Sequence, residues 1–241
     1  MSTEKIINAD AFEYLKRCKK FHAAFADPPD NIGLKYRGFK DKMSDVEYHC
    51  FLHNLIHLAT AKCNVLWLSL NSRYAPLIGY IIHQWRTEEW EVMPCAQVFT
   101  FYQHNHNDFG NAHRVMYRLQ RKGTKRYMDA VRVPSWRQLN GDKRADPRGR
   151  VPGDIFDFPR VTGNSKQKRK FSPTQLNEDL YERCIRSCCA KGDTVVDLFA
   201  GSGTLGRVAP RCNVNALMIE LSRETVDNIM ADQPETEEVF Y

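Results

Sequence analysis

The apolar positions of this chain follow two rhythms in turn. Ile6-Ile7 is a short apolar pair closed by Asn8-Ala9-Asp10, which reads as a strand and a turn. From Ala11 to Cys18, the positions Phe12, Leu15 and Cys18 recur at helical spacing. Phe21 to Ala26 is a compact apolar run, and the strand it predicts delivers Asp27 at its carboxyl end. Ser44 with Glu47 three residues on forms a capping box that opens a helix to about Lys62. A buried strand over Asn64–Leu70, a helix over Ala75–Trp85 and a strand over Val92–Tyr102 follow. Periodicity then fades from His104 to Gly163, where Gly, Pro, Arg and aromatic residues dominate. From Pro173 it returns. A helix to about Cys189, a strand over Thr194–Phe199, a helix from Thr204 and a strand over Ala216–Ile219 are expected. A last helix starts after Ser222, with Thr225, Val226 and Ile229 on it. There is no internal repeat.

Strands alternating with helices predict an α/β fold: a Rossmann-like, doubly wound, mostly parallel sheet with helices on both faces. The aperiodic middle reads as an inserted basic target-recognition region. The expected organisation is a first half over residues 1–103, the insertion over 104–163, and a second half over 164–241. Such sheets bind ligands at the carboxyl ends of their strands. Asp27 and the turn Gly201–Gly203 both fall at such ends.

Composition narrows the picture. At 241 residues with 42% hydrophobic content, the chain suits one domain with a sizeable insertion. No run of eighteen apolar residues spans a bilayer, and Met1 to Asp10 lacks an apolar signal core. A cytoplasmic protein, of a prokaryote or phage, with no membrane partner is the expectation. The eight cysteines include no Cys-x-x-Cys pair. Cys184 and Cys188 share one helix face and read as core, so no metal site is expected. The formal charge of +6 is unevenly spread. Twelve Lys/Arg between Arg114 and Arg150 face only Asp129, Asp142 and Asp146, and Lys166, Lys168, Arg169 and Lys170 follow. An excess so one-sided points to a polyanion partner.

Gly201-Ser202-Gly203-Thr204-Leu205-Gly206 fits the pattern G-x-G-x-x-G, which alone is weak. Glu220, nineteen residues after Gly201, ends the next predicted strand, where a carboxylate can hold both ribose hydroxyls. Only 21 residues follow Glu220, too few for the further strands of a dinucleotide fold. The remaining strands must come from the first half. A nucleoside cofactor is the reading.

Five short motifs, in order, then resemble one family, the amino-group DNA methyltransferases in their β arrangement, with the catalytic motif ahead of the cofactor motif. Asn8-Ala9-Asp10 resembles a Gly-Asp element near the adenine ring, and Asp27-Pro28-Pro29-Asp30 resembles Asp-Pro-Pro-Tyr. Val151-Pro152-Gly153-Asp154-Ile155-Phe156 is similar to Val-Pro-x-Asp-Val-Trp. Ser172-Pro173-Thr174-Gln175 resembles His-Pro-Thr-Gln/Lys, and Phe199-Ala200-Gly201-Ser202-Gly203-Thr204 resembles Phe-x-Gly-x-Gly. The resemblance implies S-adenosylmethionine as cofactor, held by Asp10, Asp27, Thr174, Gln175, Asp197, Phe199, Ala200, Gly201, Ser202, Gly203, Thr204, Glu220 and Leu221. It implies a catalytic element of Asp27, Pro28, Pro29 and Asp30. Asp27 and the Pro28 carbonyl would accept the N–H bonds of an exocyclic amine, whose lone pair is otherwise delocalised, and the prolines would hold both acceptors still. Two departures stand out. Asp30 replaces an aromatic on which the extruded base stacks, a contact worth about 1–3 kcal/mol, and Ser172 replaces a histidine. Tyr36 or Phe39 can substitute as the stacking ring, or Asp30 can accept a hydrogen bond from the base.

The implied reaction is site-specific methylation of DNA, adenine N6 ahead of cytosine N4 because the motif begins with Asp. An RNA or protein methyltransferase and a silent DNA-binding scaffold are the alternatives; a glutamine-directed enzyme would carry Asn-Pro-Pro-Tyr. A duplex base must be flipped out to reach Asp27. Arg114, Arg118, Arg121, Lys122, Lys125, Arg126 and Arg144 are candidates to grip phosphates or read guanine edges. Trp136 can wedge into the stack or anchor a small subdomain, and His104, Asn105, His106 and Asn107 can touch bases or form a polar loop. A homodimer and a partner restriction nuclease are left open.

Overall fold

A computed structural model describes residues 2–36, 38–85, 88–98 and 107–240. Five parallel strands lie side by side in the order β1 (Glu4–Asn8), β10 (Asn215–Glu220), β9 (Thr194–Asp197), β2 (Ala23–Ala26) and β5 (Val65–Asn71). The short β11 (Glu237–Glu238) extends the β1 edge in parallel. Beyond β5 the direction reverses. Strand β7 (His113–Arg121) runs antiparallel to β5, β6 (Trp90–Val98) antiparallel to β7, and β8 (Ile155–Asp157) closes the edge parallel to β6. The sheet is therefore mixed but mostly parallel, with one antiparallel hairpin.

Alternation along each strand feeds two cores. Ala24 and Ala26 of β2, with Leu66, Leu68 and Leu70 of β5, face α1 (Ala11–Arg17), α2 (Asp45–Lys62) and α3 (Ala75–Gln84). Ala23, Phe25, Val65 and Trp67 face α5 (Glu178–Cys188), α6 (Thr204–Cys212) and α7 (Arg223–Asp232). All four β2 residues are buried, as expected of a central parallel strand covered on both sides. Phe25 stacks on Tyr181 of α5, ring centroids 3.9 Å apart, which locks β2 to the second half of the chain. Cys184 and Cys188 are buried in this second core.

Local signals act as the sequence suggests. Ser44 and Glu47 form the capping box of α2, and Ser222 caps α7. Helix α5 starts at Glu178 rather than near Pro173, because Asn177 caps it and the preceding residues are held in a loop. Phe99–Tyr102, the end of the predicted strand, and His104, Asn105 and His106 lie outside the described residues. Within the stretch read as an insertion, β7 and β8 belong to the central sheet. Their rhythm is masked because charged and polar residues (Arg114, Arg118 and Gln120) occupy sheet positions beside Met116 and Leu119. Among the described residues of that stretch, the longest part outside the sheet is 122–154, with the short α4 (Trp136–Leu139). Among the described residues no helix is long and apolar enough to cross a membrane.

Candidate functional site

Topology brings the two motif groups together. Asp27 follows β2, Asp197 ends β9, its direct neighbour, and Leu198 to Gly203 lead from there into α6 at Thr204. The pairing continues one residue past the strands, where Leu198 N–H donates to the Phe25 carbonyl at 3.0 Å. Glu220 ends β10 and Asp10 follows β1, the next two strands along. At about 4.8 Å per strand, Asp27, the glycine turn, Glu220 and Asp10 span roughly 15 Å of one sheet edge. That is the length of an extended nucleoside with an amino-acid tail.

The cofactor side is built from backbone. Gly201 and Gly203 have φ of 51° and 72°, left-handed conformations that suit glycine. A Cβ on Gly201 would meet nothing nearer than 3.7 Å, so this position stays open to a ligand. Gly203 and Gly206 are different: added Cβ atoms would strike Gln233 at 2.5 and 2.2 Å. The later glycines of the pattern thus serve the packing of α6 against α7, with Gln233 Nε2 also donating to the Gly203 carbonyl at 2.9 Å. Glu220 accepts the Gly201 N–H at 3.0 Å and the Ser222 N–H at 2.9 Å. Burial raises its pKa against these bonds. Ala200 N–H donates to the Ile219 carbonyl, and the buried Ser202 and Thr204 hydroxyls bond each other at 2.8 Å. Leu221 is exposed beside Glu220. Asp10 caps α1 through one oxygen, accepting from Phe12 and Glu13. The loop with Thr174 and Gln175 lies opposite: Ser172 Oγ is 4.0 Å from the Gly201 Cβ position and donates to the Thr174 carbonyl at 2.6 Å. Gln175 spends its amide on Arg169 N–H and the Gln167 carbonyl, bracing that loop. This open cradle, with the Glu220 carboxylate at its end, fits S-adenosylmethionine.

Asp197 is 1% exposed and accepts from Phe199 N–H at 3.1 Å and the Tyr181 hydroxyl at 3.0 Å. Burial still pushes its carboxyl up to about 7. A folded pKa above the unfolded one means the native state takes up a proton as pH falls below about 7, so stability rises in that direction. Thermal unfolding of the cofactor-free protein between pH 8 and pH 5 checks this: Asp197→Asn should flatten the gain seen in wild type. An unchanged slope would remove Asp197 from the account.

The catalytic element is tightly braced. The Tyr48 hydroxyl donates to the Pro29 carbonyl at 2.8 Å, while among the described residues no hydrogen bond ends on the Pro28 carbonyl. Buried Asp41 accepts from Asn31, Ile32 and Leu34 N–H groups, fixing the loop that leads to the hairpin of β3 (Lys35–Tyr36) and β4 (Phe39–Lys40). Tyr36 is half-buried beside Asp27 and Asp30, and burial lifts its phenol to about 12. Phe39 pairs with it across the hairpin. Asp30 is buried, not open to a base, and Arg114 reaches it.

The expected phosphate grip is distributed otherwise. Arg114 turns inward to Asp27 at 2.7 Å and Asp30 at 2.6 Å. Because β7 is antiparallel to β5, it starts at the catalytic end and leaves it. At about 3.3 Å per residue, Arg121 is roughly 20 Å from Arg114. Arg118 lies over Trp67, Arg121 pairs with Glu89 at 2.8 Å, and Arg126 pairs with Glu91. Lys125 lies over Tyr127, and Lys122 is exposed. All of these from Arg121 onward stand where β5 begins, not where it ends. Trp136 is 76% exposed, so it anchors no core, and Arg144 pairs with Asp142 at 3.0 Å. Of the cations at the catalytic end, Lys166 and Lys170 belong to the second basic cluster of the sequence, and the other three stand outside both clusters. Lys35 and Lys40 are on the hairpin, Arg73 follows β5, and Lys166 and Lys170 are on the loop after β8; all five are exposed. Their link to the site is topological, and for Lys35, Lys40 and Arg73 spacing in sequence gave no signal for it. Three potential metal donors, His22, Cys189 and Asp193, gather at the opposite end of the sheet, where His22 Nε2 already meets the Cys188 carbonyl at 2.8 Å.

A family model described as "DNA methylase", for N6 and N4 enzymes, matches residues 21–231. Type II methyltransferase M.HpaI of Haemophilus parainfluenzae is 26% identical over 93% of this chain and 72% of its own. DNA adenine methyltransferase YhdJ of Escherichia coli is 28% identical over 92% and 79%. Among solved structures, the M1.HpyAVI–SAM complex aligns with a TM-score of 0.62 and 20% identity, covering 94% of this chain and 97% of the other. The cytosine-N4-specific PvuII DNA methyltransferase aligns at 0.69 with 14% identity, covering 95% and 86%. With the match spanning both the Asp27 element and the glycine turn, the chain belongs to the N6/N4 DNA methylase family and is an S-adenosylmethionine-dependent DNA amino-methyltransferase.

Proposed function

We propose that this enzyme methylates adenine N6 in double-stranded DNA, on a base flipped out of the helix into the pocket between Asp27 and the glycine turn. The observation that supports it most is the placement of Asp27 and Gly201–Gly203 on adjacent parallel strand ends, with Asp as the first residue of the motif. S-adenosylmethionine, when bound, supplies a methyl group made electrophilic by its sulfonium. The chain's own part is to aim and polarise the amine. Asp27 accepts one N–H, and the unoccupied Pro28 carbonyl accepts the other, which returns the lone pair to nitrogen. Both acceptors are held by prolines and by Tyr48, so little reorganisation accompanies the reaction. Tyr36 replaces the missing aromatic at position 30 as the ring beside the base. Incubating the protein with labelled S-adenosylmethionine and separate DNA, RNA and protein pools, then identifying the labelled nucleoside, tests this. N4-methylcytosine in place of N6-methyladenine would assign the other base, and label confined to RNA or protein would end the reading.

The exposed cations at the catalytic end, Lys35, Lys40, Arg73, Lys166 and Lys170, grip the duplex in this reading. Replacing Lys166 and Lys170 with Gln should reduce the slope of log K against log salt by about 1–2. Replacing Arg121, Lys122, Lys125 and Arg126 together should leave most of the slope in place. The opposite result would move the duplex to the far end of the sheet.

A further inference from the structure

Asp30 and Arg114 form a unit that the family pattern does not call for. The Arg114 guanidinium bridges two carboxylates: Nη2 donates to Asp27 Oδ1 at 2.7 Å and to Asp30 Oδ1 at 3.2 Å, and Nη1 donates to Asp30 Oδ2 at 2.6 Å. Nε donates to Ser69 Oγ at 3.2 Å. Asp30 is fixed in turn, since Asn71 N–H donates to its Oδ1 at 3.0 Å. A guanidinium has five N–H groups in a rigid fork, and four are committed here. The Arg114 side chain is 17% exposed. So buried and so fully paired, it is not a phosphate contact.

We propose that Asp30 and Arg114 are positioning residues for Asp27: Arg114 occupies one carboxylate oxygen and fixes the carboxylate plane, while Asp30, tied to the end of β5, holds Arg114 in the bridging position. The residue that stacks on the base elsewhere is here part of an orienting clamp. A carboxylate offers about four lone-pair directions. Arg114 uses one and leaves the others to the amine. The clamp also sets the charge Asp27 can carry. Burial raises its pKa, Arg114 lowers it, and Asp30 raises it again. The remaining groups around it are Asp197 at the end of β9, Tyr181 of α5 and Tyr36 of β3.

The inference rests on Asp27 being the amine acceptor, so its test includes Asp27→Ala. Single-turnover transfer to a duplex substrate is measured against pH for wild type, Asp30→Asn, Arg114→Gln, Arg114→Lys and the double variant Asp30→Asn/Arg114→Gln. Cofactor dissociation constants, expected to stay near the wild-type value, certify folding. Arg114→Gln leaves two facing carboxylates with no cation, so the acid limb of the rate should move up by about one pH unit or more. Asp30→Asn removes the repelling charge and should move the limb down. The double variant should return the limb toward wild type while its plateau rate stays low. Plateau rates should fall about tenfold or more in each, with the KM for DNA and the salt slope unchanged, because a misplaced acceptor slows the chemistry rather than binding. Arg114→Lys, a point charge that cannot bridge both carboxylates, should keep the limb near wild type yet lose rate. Limbs that do not move in opposite directions, or an Arg114→Gln that raises the KM for DNA and lowers the salt slope at full rate, would overturn the clamp. If Arg114→Gln does not fold, Asp30→Asn and Arg114→Lys decide alone. Full transfer by Asp27→Ala would instead overturn the reading of Asp27 itself.

Discussion

Asp27→Ala is expected to lose methyl transfer by about 10²–10³-fold or more, the usual penalty for removing a preorganised group aimed at developing charge. Three features of the site set this expectation. Asp27 is the carboxylate at the mouth between β2 and β9, its orientation is fixed by Arg114, and the Pro28 carbonyl beside it cannot carry negative charge. The amine becomes cationic as it is methylated, and in the proposed reaction Asp27 meets that charge. Removing it leaves Asp30 and Arg114 paired one to one, so the fold should survive. Asp27→Asn should fall between, since an amide oxygen still accepts a hydrogen bond. Single-turnover assays at saturating cofactor make the comparison. An Asp27→Ala enzyme within about tenfold of wild type would show that the amine is aimed by something else.

Glu220→Ala is expected to weaken cofactor binding about a hundredfold while turnover at saturating cofactor changes little. A hydrogen bond to a charged group contributes about 1.5–3 kcal/mol, and a ribose presents two hydroxyls. Glu220 has a second task, because the same carboxylate accepts the Gly201 and Ser222 N–H groups and so shapes the turn that receives the ligand. Glu220→Gln keeps an acceptor without charge and should lie between the two. Calorimetric titration with S-adenosylmethionine measures the effect. An unchanged dissociation constant would take Glu220 out of the cofactor site.

Much of this was readable from the chain alone, for identifiable reasons. The buried alternation of β2 and β5, the capping box at Ser44 and the strand–glycine–helix passage at 197–204 are local signals, and the parallel sheet follows from their order. The joining of Asp27 to the glycine turn follows as well, since ligands gather at carboxyl ends. The hairpin of β6 and β7 was only half legible. The first half of β6 is apolar enough to announce itself, but β7 carries three arginines in nine residues and reads as a surface segment. Only tertiary placement reveals that Arg114 is turned to two acids while Arg121, seven residues on, is at the other end of the sheet. The charge count in the middle of the chain pointed correctly to a basic protein and wrongly grouped residues that the strand separates. Likewise Asp30 looked like a lost aromatic, and its partner is 84 residues away.

The third glycine of the cofactor pattern carries a different message. Gly206 faces Met218 and Gln233, where a single methyl group would collide with both. Among members of this subgroup, bulk at position 206 should therefore appear only alongside smaller side chains at 218 and 233, a compensating exchange between three positions that never meet the methyl donor. A motif usually taken as a ligand signature here also records how closely two helices must approach over one strand.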